Sequence, residues 1–344
     1  MVRSLVPVRP PPKTEGNKLM FRLMIQKLKK SPKKIVFTEG EDPRILEAAA
    51  RLLSGTFLTP ILIGRPDKIY KVADEECLNI RGVTILQPET YDKMDEMVAK
   101  MAELRKGKMT EEQCREALQH GNYFGTMLVA MGKADCLLGG ATYSTADTVR
   151  PALQLVKTKP GNKIVSSCFI LVRPFGTGGN QVLAMGDCAI NIDPTEDELI
   201  EITQEVAKCA RIFGVDPKVA MLSYSTNGSG KGPMVEKMRN ATKRLQDMML
   251  DFPVDGECQF DAAVSPSVGQ LKFPGSPVAG YANTFIFPEI TSGNIGYKIA
   301  QRMGNFDAYG PILLGLNAPI NDLSRGCNAL EVYSMAIITA ALAE

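Results

Sequence analysis

The sequence predicts an α/β protein whose first half forms a doubly wound, largely parallel sheet. From residue 33 onward, short apolar runs alternate with longer segments that contain little glycine. These longer segments carry apolar residues at spacings of three and four, which is typical of helices that cover a sheet. Alternation of strand and helix along the chain indicates βαβ units, and therefore a mostly parallel sheet.

The individual elements of the first half can be placed in chain order. Four apolar runs predict strands at residues 35–38, 60–64, 83–86 and 136–139, and amphipathic segments predict helices at residues 42–53 and 90–105. A further polar segment around His120 predicts a helix that ends at Gly121, with the histidine as a favourable cation near the helix C-terminus.

A second α/β domain is predicted to begin near the Pro-Gly step at residues 159–162. A β-rich run follows at residues 164–172, and then a glycine-rich turn at residues 176–180. Thr195 and Glu198 stand at capping-box spacing at the start of the next helix, so we expect the acidic residues there to have a structural role.

Residues 1–18 predict a disordered leader or a remnant of cloning. They contain several prolines and two arginines, and they lack the apolar core of a secretion signal. The whole chain of 344 residues suits one large or two ordinary domains. No later segment is a repeat or a low-complexity tract.

The charge balance excludes several classes of partner. The 40 basic and 38 acidic side chains leave a formal net charge of +2, so no overall basic field would draw the protein to nucleic acid or to an anionic membrane. No apolar run approaches the roughly 18 residues that indicate a membrane span. Any anionic substrate must therefore be held by local charges.

The cysteines and histidines limit the possible chemistry. The closest two of the eight cysteines are 20 positions apart, which fits neither a CxxC redox pair nor a zinc cluster and favours a reducing cytosol. His120 is the one histidine, so a multi-histidine metal site is excluded and a Ser-His-Asp triad would need this residue. We therefore expect a carboxylate to carry out proton transfer.

A glycine-rich loop at residues 223–233 follows a predicted strand at residues 219–222. It resembles a nucleotide-binding P-loop but fails the pattern, because Gly232 stands where Ser or Thr should bind magnesium and Ser225 stands where the first glycine should be. Its hydroxyls and backbone N–H groups could still cradle an anion, and the alternative is a plain turn. The predicted substrate-binding residues here are Ser223, Ser225, Thr226 and Gly228.

A dinucleotide cofactor has no support, because no GxGxxG pattern follows the first strand. Instead, residues 38–44 contain E-G-E-x-x-R, and residues 146–154 contain A-D-T-x-R-P-A-L-Q. Further blocks occur at residues 221–226, 255–263, 274–280, 293–299 and 321–327. In order and content these blocks resemble the phosphate acetyltransferase (phosphotransacetylase) family, and the resemblance extends from about residue 33 to the C-terminus.

The resemblance implies two α/β domains of the isocitrate/isopropylmalate dehydrogenase-like type, with the active site in the cleft between them. The first domain would comprise residues 19–160 and 311–344, and the second residues 161–310. It also implies a homodimer that exchanges acetyl between coenzyme A and phosphate. We expect a cytoplasmic enzyme, as the cysteine spacing favours, and direct thiolate attack in a ternary complex, which needs no protein nucleophile. Coenzyme A would be a substrate, with no permanently bound cofactor and no metal.

Three residues of the last block and the helix after it are the predicted catalytic group. Arg325 would bind phosphate bidentately, although a structural ion pair is the alternative. Ser324 would hydrogen-bond the thiol sulfur or the carbonyl oxygen, or else stabilise a turn. Glu331 stands where the family usually has aspartate, the base for the thiol, but its spacing from Asn328 also suits a helix cap.

Other residues are predicted to bind substrate. Lys298 and Arg302 lie four apart on one helix face, where they could meet phosphate groups or remain solvated. Arg150 could act as a second clamp or pair with Asp147. The remaining predicted contacts are Ser144, Thr145, Asn321 and Asp322. An acyl-cysteine intermediate at Cys327 is the alternative mechanism, but attack by the thiolate of the coenzyme needs no protein nucleophile.

Two rival functions remain open. A phosphate butyryltransferase would differ in pocket volume and keep the same clamp. A non-catalytic regulatory module of the kind fused behind malic enzymes would predict a preceding dehydrogenase domain and a degraded Ser-Arg motif. Fewer than about 33 residues precede the first predicted strand, whereas a domain needs roughly 100 to 150, and Ser324 and Arg325 are intact.

Overall fold

The computed structural model describes residues 15–175 and 179–343, which form two sheets with helices packed on their faces. The strands are β1 Lys33–Phe37, β2 Leu58–Ile63, β3 Thr84–Leu86, β4 Cys136–Gly139, β5 Ser166–Phe175, β6 Gly179–Gly186, β7 Val219–Leu222, β8 Val254–Cys258, β9 Thr284–Ile286, β10 Asp307–Leu314 and β11 Ile320–Asp322. These elements confirm the predicted α/β class.

Thirteen α-helices lie before, between and after these strands in the described residues. They are α1 Glu15–Lys30, α2 Pro43–Gly55, α3 Pro66–Glu75, α4 Met94–Arg105, α5 Glu111–Ala117, α6 Gly121–Ala130, α7 Thr145–Pro151, α8 Glu196–Ile212, α9 Pro233–Gln246, α10 Phe260–Val264, α11 Pro266–Lys272, α12 Ile290–Met303 and α13 Ala329–Ala341. A short 3₁₀ turn covers Pro88–Thr90, and a π turn at Ala152–Val156 continues α7.

The first sheet has the strand order β11-β4-β1-β2-β3, and its strands are parallel. Helices cover both of its faces. Ile35 and Phe37 pack with residues of α2 and α13, while Val36 between them packs with residues of α4 and α6 on the opposite face. Burial on both faces explains why residues 35–37 of β1 are a continuous apolar run instead of an alternating pattern.

The second sheet has the strand order β10-β5-β6-β9-β7-β8. The β10–β5 and β5–β6 pairs are antiparallel and the remaining pairs are parallel. Helices α8 and α9 contribute to the core on one face, and α10 and α12 contribute to the core on the other. Thr195 and Glu198 form the predicted capping box at the start of α8.

The chain returns to the first sheet near its end. Strand β11 pairs in parallel with β4, and α13 packs against α1 and α2. Strand β10 belongs to the second sheet and spans residue 310, where the second domain is predicted to end. The domain limits at 160/161 and 310/311 stay a prediction. Of the predicted leader, residues 15–18 are the start of α1, while residues 1–14 lie outside the described residues, as do residues 176–178 of the predicted glycine turn.

The predicted position of His120 at a helix C-terminus is wrong. Helix α5 ends at Ala117, and His120 is the N-cap of α6, which begins at Gly121. Gly121 does not end a helix but lets α6 lie close to the backbone of Thr38, because a Cβ at this position would be 2.6 Å from the backbone oxygen of Thr38.

Among the helices of residues 15–175 and 179–343, none combines the length and apolar character needed to cross a lipid bilayer.

Candidate active site

A cleft of about 500 Å³ lies between the second sheet and the segment that joins β11 to α13. One wall comes from α12 and β10, with Lys298, Gln301, Arg302, Tyr309 and Pro311 among its residues; the other includes Asp322, Ser324, Gly326, Cys327, Glu331 and Met335. The second wall follows the carboxyl end of a parallel strand, which is the usual ligand side of such sheets. The cleft therefore brings Ser324, Glu331, Asp322, Lys298 and Arg302 together.

Ser324 begins a tight turn. The backbone N–H of Cys327 donates to the carbonyl oxygen of Ser324 at 2.9 Å. The N–H of Gly326 donates to the Ser324 Oγ at 3.3 Å. Because this hydroxyl oxygen accepts a hydrogen bond within the turn, its own hydrogen is left to donate into the cleft.

Arg325 is exposed and is not among the residues that line the cleft, although its chain neighbours Ser324 and Gly326 are. Its carbonyl oxygen accepts a hydrogen bond from Arg44 at 2.8 Å. Across residues 15–175 and 179–343, no ion pair or hydrogen bond involves its guanidinium, so the alternative of a structural ion pair is not found. The predicted role in phosphate binding stays a prediction.

Glu331 caps α13 and lines the cleft at the same time. Its Oε2 accepts from the backbone N–H of Asn328 at 3.1 Å, and Asn328 Oδ1 accepts from the N–H groups of Leu330 and Glu331, both at 3.0 Å. The capping box that the sequence offered as an alternative is therefore present. It engages one carboxylate oxygen, so the cap does not by itself remove the carboxylate from the cleft.

Asp322 is a buried carboxyl group in the cleft lining, with 3% of its surface exposed. Thr145 Oγ1 donates to its Oδ2 at 2.5 Å, and Thr148 Oγ1 donates to its Oδ1 at 2.6 Å. Burial raises the pKa of Asp322 above its usual range, the charge of Glu39 adds to this, and the two hydroxyls oppose it. The hydrogen of the Thr145 hydroxyl is therefore engaged by Asp322, and substrate binding by Thr145 stays a prediction.

Asn321 does not contact the cleft, although the sequence suggested substrate binding. It is fully buried. Its Oδ1 accepts from the backbone N–H of Leu313 at 2.8 Å, and its Nδ2 donates to Thr339 Oγ1 at 2.8 Å. These bonds tie β11 to β10 and α13, so Asn321 has a structural role that the motif alone did not reveal.

Arg150 and Ser144 lie outside the cleft lining. Arg150 Nη1 is 4.0 Å from Asp147 Oδ1, which is the pairing that the sequence offered as an alternative to substrate binding. Ser144 Oγ donates to Asp147 Oδ2 at 2.7 Å. Both side chains are exposed, and any contact with substrate at this position stays a prediction.

The loop predicted as an anion cradle holds an anion of the protein itself. Ser225 Oγ and the N–H of Gly228 donate to Glu257 Oε1 at 2.8 and 2.9 Å, and Arg239 Nε donates to Glu257 Oε2 at 3.1 Å. Thr226 Oγ1 accepts from the backbone N–H of Gln259 at 2.9 Å. Ser223 Oγ accepts from the backbone N–H of Ser225 at 3.2 Å, and the loop is not among the residues that line the cleft. Substrate binding by the four predicted residues of this loop stays a prediction.

Comparison with known proteins identifies the family. The family model described as phosphate acetyl/butaryl transferase matches residues 19–340. The chain belongs to the phosphate acetyl/butaryl transferase family. It is 52% identical over 324 residues to the phosphate acetyltransferase of Bacillus subtilis (strain 168), covering 94% of this chain and 99% of that protein.

Solved structures agree with this assignment to the phosphate acetyl/butaryl transferase family. The EutD phosphotransacetylase from Staphylococcus aureus has a TM-score of 0.90 and 46% identity, covering 96% of this chain and 100% of its own. A phosphotransacetylase from Streptococcus pyogenes has a TM-score of 0.90 and 50% identity, covering 95% and 98%. The two-domain dehydrogenase-like fold implied by the resemblance is therefore the fold of this family member.

Two features of this family member escaped the sequence analysis. Arg44 lies in the first recognised block, and its side chain reaches the backbone of Arg325 and Cys327. Glu257 lies in another block, on β8, and its burial against the loop after β7 could not be read from its spacing. Among the described residues, no group of three or more His, Cys, Asp or Glu side chains is arranged to hold a metal ion.

Glu257→Gln is expected to lower the free energy of unfolding by about 1–3 kcal/mol, because hydrogen bonds to a charged group are lost from a buried position. Burial acts to raise the pKa of Glu257, but Arg239, Gly228 and Ser225 outweigh it, so the pKa lies below the ordinary value of 4.5. The stabilisation is therefore present above pH 4.5 and is lost as the pH falls through the lower folded-state pKa.

Urea unfolding between pH 7 and pH 3 tests this expectation. The difference in unfolding free energy between wild type and Glu257→Gln should be largest near neutrality and should shrink in acid. The KM for phosphate should be the same in both proteins. A raised KM for phosphate in the folded variant would contradict a purely structural role for this loop.

Proposed function

We propose that this protein is a phosphate acetyltransferase that interconverts acetyl-CoA and phosphate with acetyl phosphate and CoA. The observation that carries the proposal is 52% identity, over nearly the full length of both chains, to a protein named phosphate acetyltransferase. The cleft supports it, because hydroxyl, carboxylate and cationic groups meet there beside an apolar wall. These are the groups that acyl transfer between a thiol and phosphate needs.

In the proposed reaction the CoA thiolate attacks the carbonyl carbon of acetyl phosphate. The carbon–sulfur bond forms, the bond from carbon to the bridging oxygen breaks, and phosphate leaves with the electron pair. Glu331 accepts the thiol proton, and Ser324 donates a hydrogen bond to the sulfur or to the carbonyl oxygen as negative charge develops there. The Arg325 guanidinium holds the phosphate through its planar pair of N–H groups.

The wall formed by α12 and β10 would hold the phosphate groups of the coenzyme. Lys298 and Arg302 lie one turn apart on α12 and both line the cleft, where cations can meet anionic groups. The rings of Phe169 and Tyr297 stack beside them with centroids 3.8 Å apart. This stack offers an apolar surface to the uncharged part of the coenzyme.

The properties of Cys327 favour direct transfer in a ternary complex over a mechanism with an acyl-cysteine intermediate. Cys327 is 6% exposed, and burial raises the pKa of its thiol although the charge of Arg44 acts to lower it. A protonated thiol is a poor nucleophile at neutral pH. The coenzyme's own thiolate supplies the attack, so a covalent enzyme intermediate is not required.

We also propose that the enzyme is a cytoplasmic homodimer that binds CoA only as a substrate, with no resident cofactor or metal. The eight cysteines are free thiols, which suits a reducing compartment. The homodimer follows from the family resemblance. Light scattering on the purified protein tests it, and a monomer mass at working concentration would contradict it.

A thiol-release assay tests the proposed function. With acetyl-CoA and phosphate we expect release of free CoA and formation of acetyl phosphate, with no release when phosphate is omitted. The same assay with butyryl-CoA distinguishes the acyl chain, because one methylene in a hydrophobic pocket changes kcat/KM by about 10- to 200-fold. A larger kcat/KM for butyryl-CoA would favour a phosphate butyryltransferase, and no turnover with either substrate would favour a regulatory module.

A further inference from the structure

The guanidinium of Arg44 joins three segments beside the cleft. Arg44 lies in the first turn of α2, where Nε donates to Asp42 Oδ1 at 3.0 Å and Nη2 donates to Asp42 Oδ2 at 2.8 Å. Nη2 also donates to the carbonyl oxygen of Ala141 at 3.0 Å. Nη1 donates to the carbonyl oxygens of Arg325 at 2.8 Å and of Cys327 at 3.1 Å.

These five hydrogen bonds use every donor that Arg44 has. A guanidinium carries five N–H groups and no acceptor. None of the five is left for a substrate, and the side chain lines a groove on the far side of the turn from the cleft. Any effect of Arg44 on the reaction must therefore pass through the groups that it holds.

The group with the clearest consequence is the peptide between Arg325 and Gly326. In a trans peptide the C=O and N–H groups point in opposite directions. Because the Arg325 carbonyl points to Arg44, the N–H of Gly326 points the other way, to Ser324 Oγ at 3.3 Å, and both Ser324 and Gly326 line the cleft. If this peptide turned over, a carbonyl oxygen would face Ser324 Oγ in place of the N–H that holds it.

We propose that Arg44 is a positioning residue for acyl transfer, which fixes the Arg325–Gly326 peptide so that its N–H holds Ser324 Oγ and the hydrogen of the Ser324 hydroxyl is left to donate into the cleft. This inference rests on the acyltransferase function proposed above. Negative charge that develops on the acyl oxygen is stabilised by preorganised donors and repelled by a carbonyl dipole. Arg44 therefore contributes to the rate without contacting substrate.

Lysine cannot replace Arg44 in this role. Its ammonium is a single point with three donors, so it cannot span the carboxylate of Asp42 and three backbone carbonyls. Asp42 orients the guanidinium, since both of its carboxylate oxygens accept from Arg44. Asp42 also caps α2 through the N–H of Arg44 at 2.9 Å, so the pair is anchored to the helix start.

The test compares Arg44→Ala and Arg44→Lys with wild type in the thiol-release assay. We expect kcat to fall by about 100-fold in both, because a displacement near 1 Å in the reacting geometry has an effect of this size. The KM values for acetyl-CoA and phosphate should change by less than about threefold, since no substrate contact is lost. Added guanidinium ion should restore part of the kcat of Arg44→Ala and none of that of Arg44→Lys.

Arg51→Ala is the matched control. Arg51 lies on the same helix and lines the same groove, but its partner is Glu47 and its side chain is 47% exposed. Its removal should leave kcat unchanged. The double variant Arg44→Ala with Ser324→Ala should lose less than the product of the two single losses, because both act through one turn.

Three results would overturn the inference. One is an Arg44→Ala variant that folds and keeps kcat within about twofold of wild type. Another is a raised KM for acetyl-CoA with unchanged kcat, which would indicate direct contact with the coenzyme. If Arg44→Ala does not fold, Asp42→Asn replaces it, and an unchanged kcat in that variant counts against the inference. Failure of the wild type itself to turn over would refute the acyltransferase function instead.

Discussion

Arg325→Ala is expected to lower kcat/KM for phosphate by about 100- to 1,000-fold, the loss that follows removal of one preorganised donor to developing charge. Arg325 is exposed and has no ion-pair partner among the described residues, so its removal leaves no buried charge unpaired. The free energy of unfolding should therefore change by less than about 0.5 kcal/mol. Initial rates at varied phosphate, with urea unfolding of the same samples, measure both quantities.

Arg325→Lys and Arg115→Ala complete the experiment on the phosphate clamp. Lysine keeps the charge but loses the planar pair of donors, so Arg325→Lys should remain far below wild type. Arg115 is an exposed arginine whose partner is Asp95, far along the chain from the cleft residues, and its removal should not change turnover. Full activity in Arg325→Ala, with an unaltered phosphate dependence, would remove Arg325 from the site.

Glu331→Gln is expected to lower kcat by about 100- to 10,000-fold, the range of a general base. This substitution separates the two roles of the residue. Glutamine at this helix position can still accept from the N–H of Asn328, as in a capping box, but it cannot take a proton from a thiol. Stability should therefore be retained while turnover is lost, as measured by thermal unfolding and by the thiol-release assay.

Asn328→Ala is the complementary variant for the same helix. It removes the cap, whose loss usually lowers stability by about 0.5–2 kcal/mol, and it leaves the Glu331 carboxylate in place. We expect reduced stability and largely retained kcat. If Glu331→Gln kept the full rate while Glu331→Ala was merely less stable, the carboxylate would be a cap and not the base.

The strands and most helices could be predicted because the information for them is local. The apolar run of β4 and the capping box of α8 are read from neighbouring residues, and both occur where the pattern placed them. The role of Gly121 could not be predicted from its neighbours, because it depends on the backbone of Thr38, which is distant in sequence. A residue that permits close approach looks the same in sequence as one that ends a helix.

The site was predictable in part, for the same physical reason. Ser324 and Glu331 belong to one short segment, and they do share a cleft. Thr145 and Asn321 look equally polar in their motifs, but each is engaged by a partner from another part of the chain. Three of the five hydrogen bonds that the Arg44 guanidinium donates likewise depend on carbonyl groups from two distant loops. Such partnerships follow from the fold and are not encoded in spacing.

The return of β11 and α13 to the first sheet has a consequence for biosynthesis. Strand β4 emerges from the ribosome long before its neighbour β11, because residues 140–319 are translated between them. Until residues 320–341 have been made, β4 is the edge strand of the first sheet in place of β11, and the turn that carries Ser324 and Arg325 does not exist. Catalysis through the proposed roles of Ser324 and Arg325 therefore becomes possible only late in translation, and the nascent chain must keep the edge of β4 from pairing with other chains in the meantime.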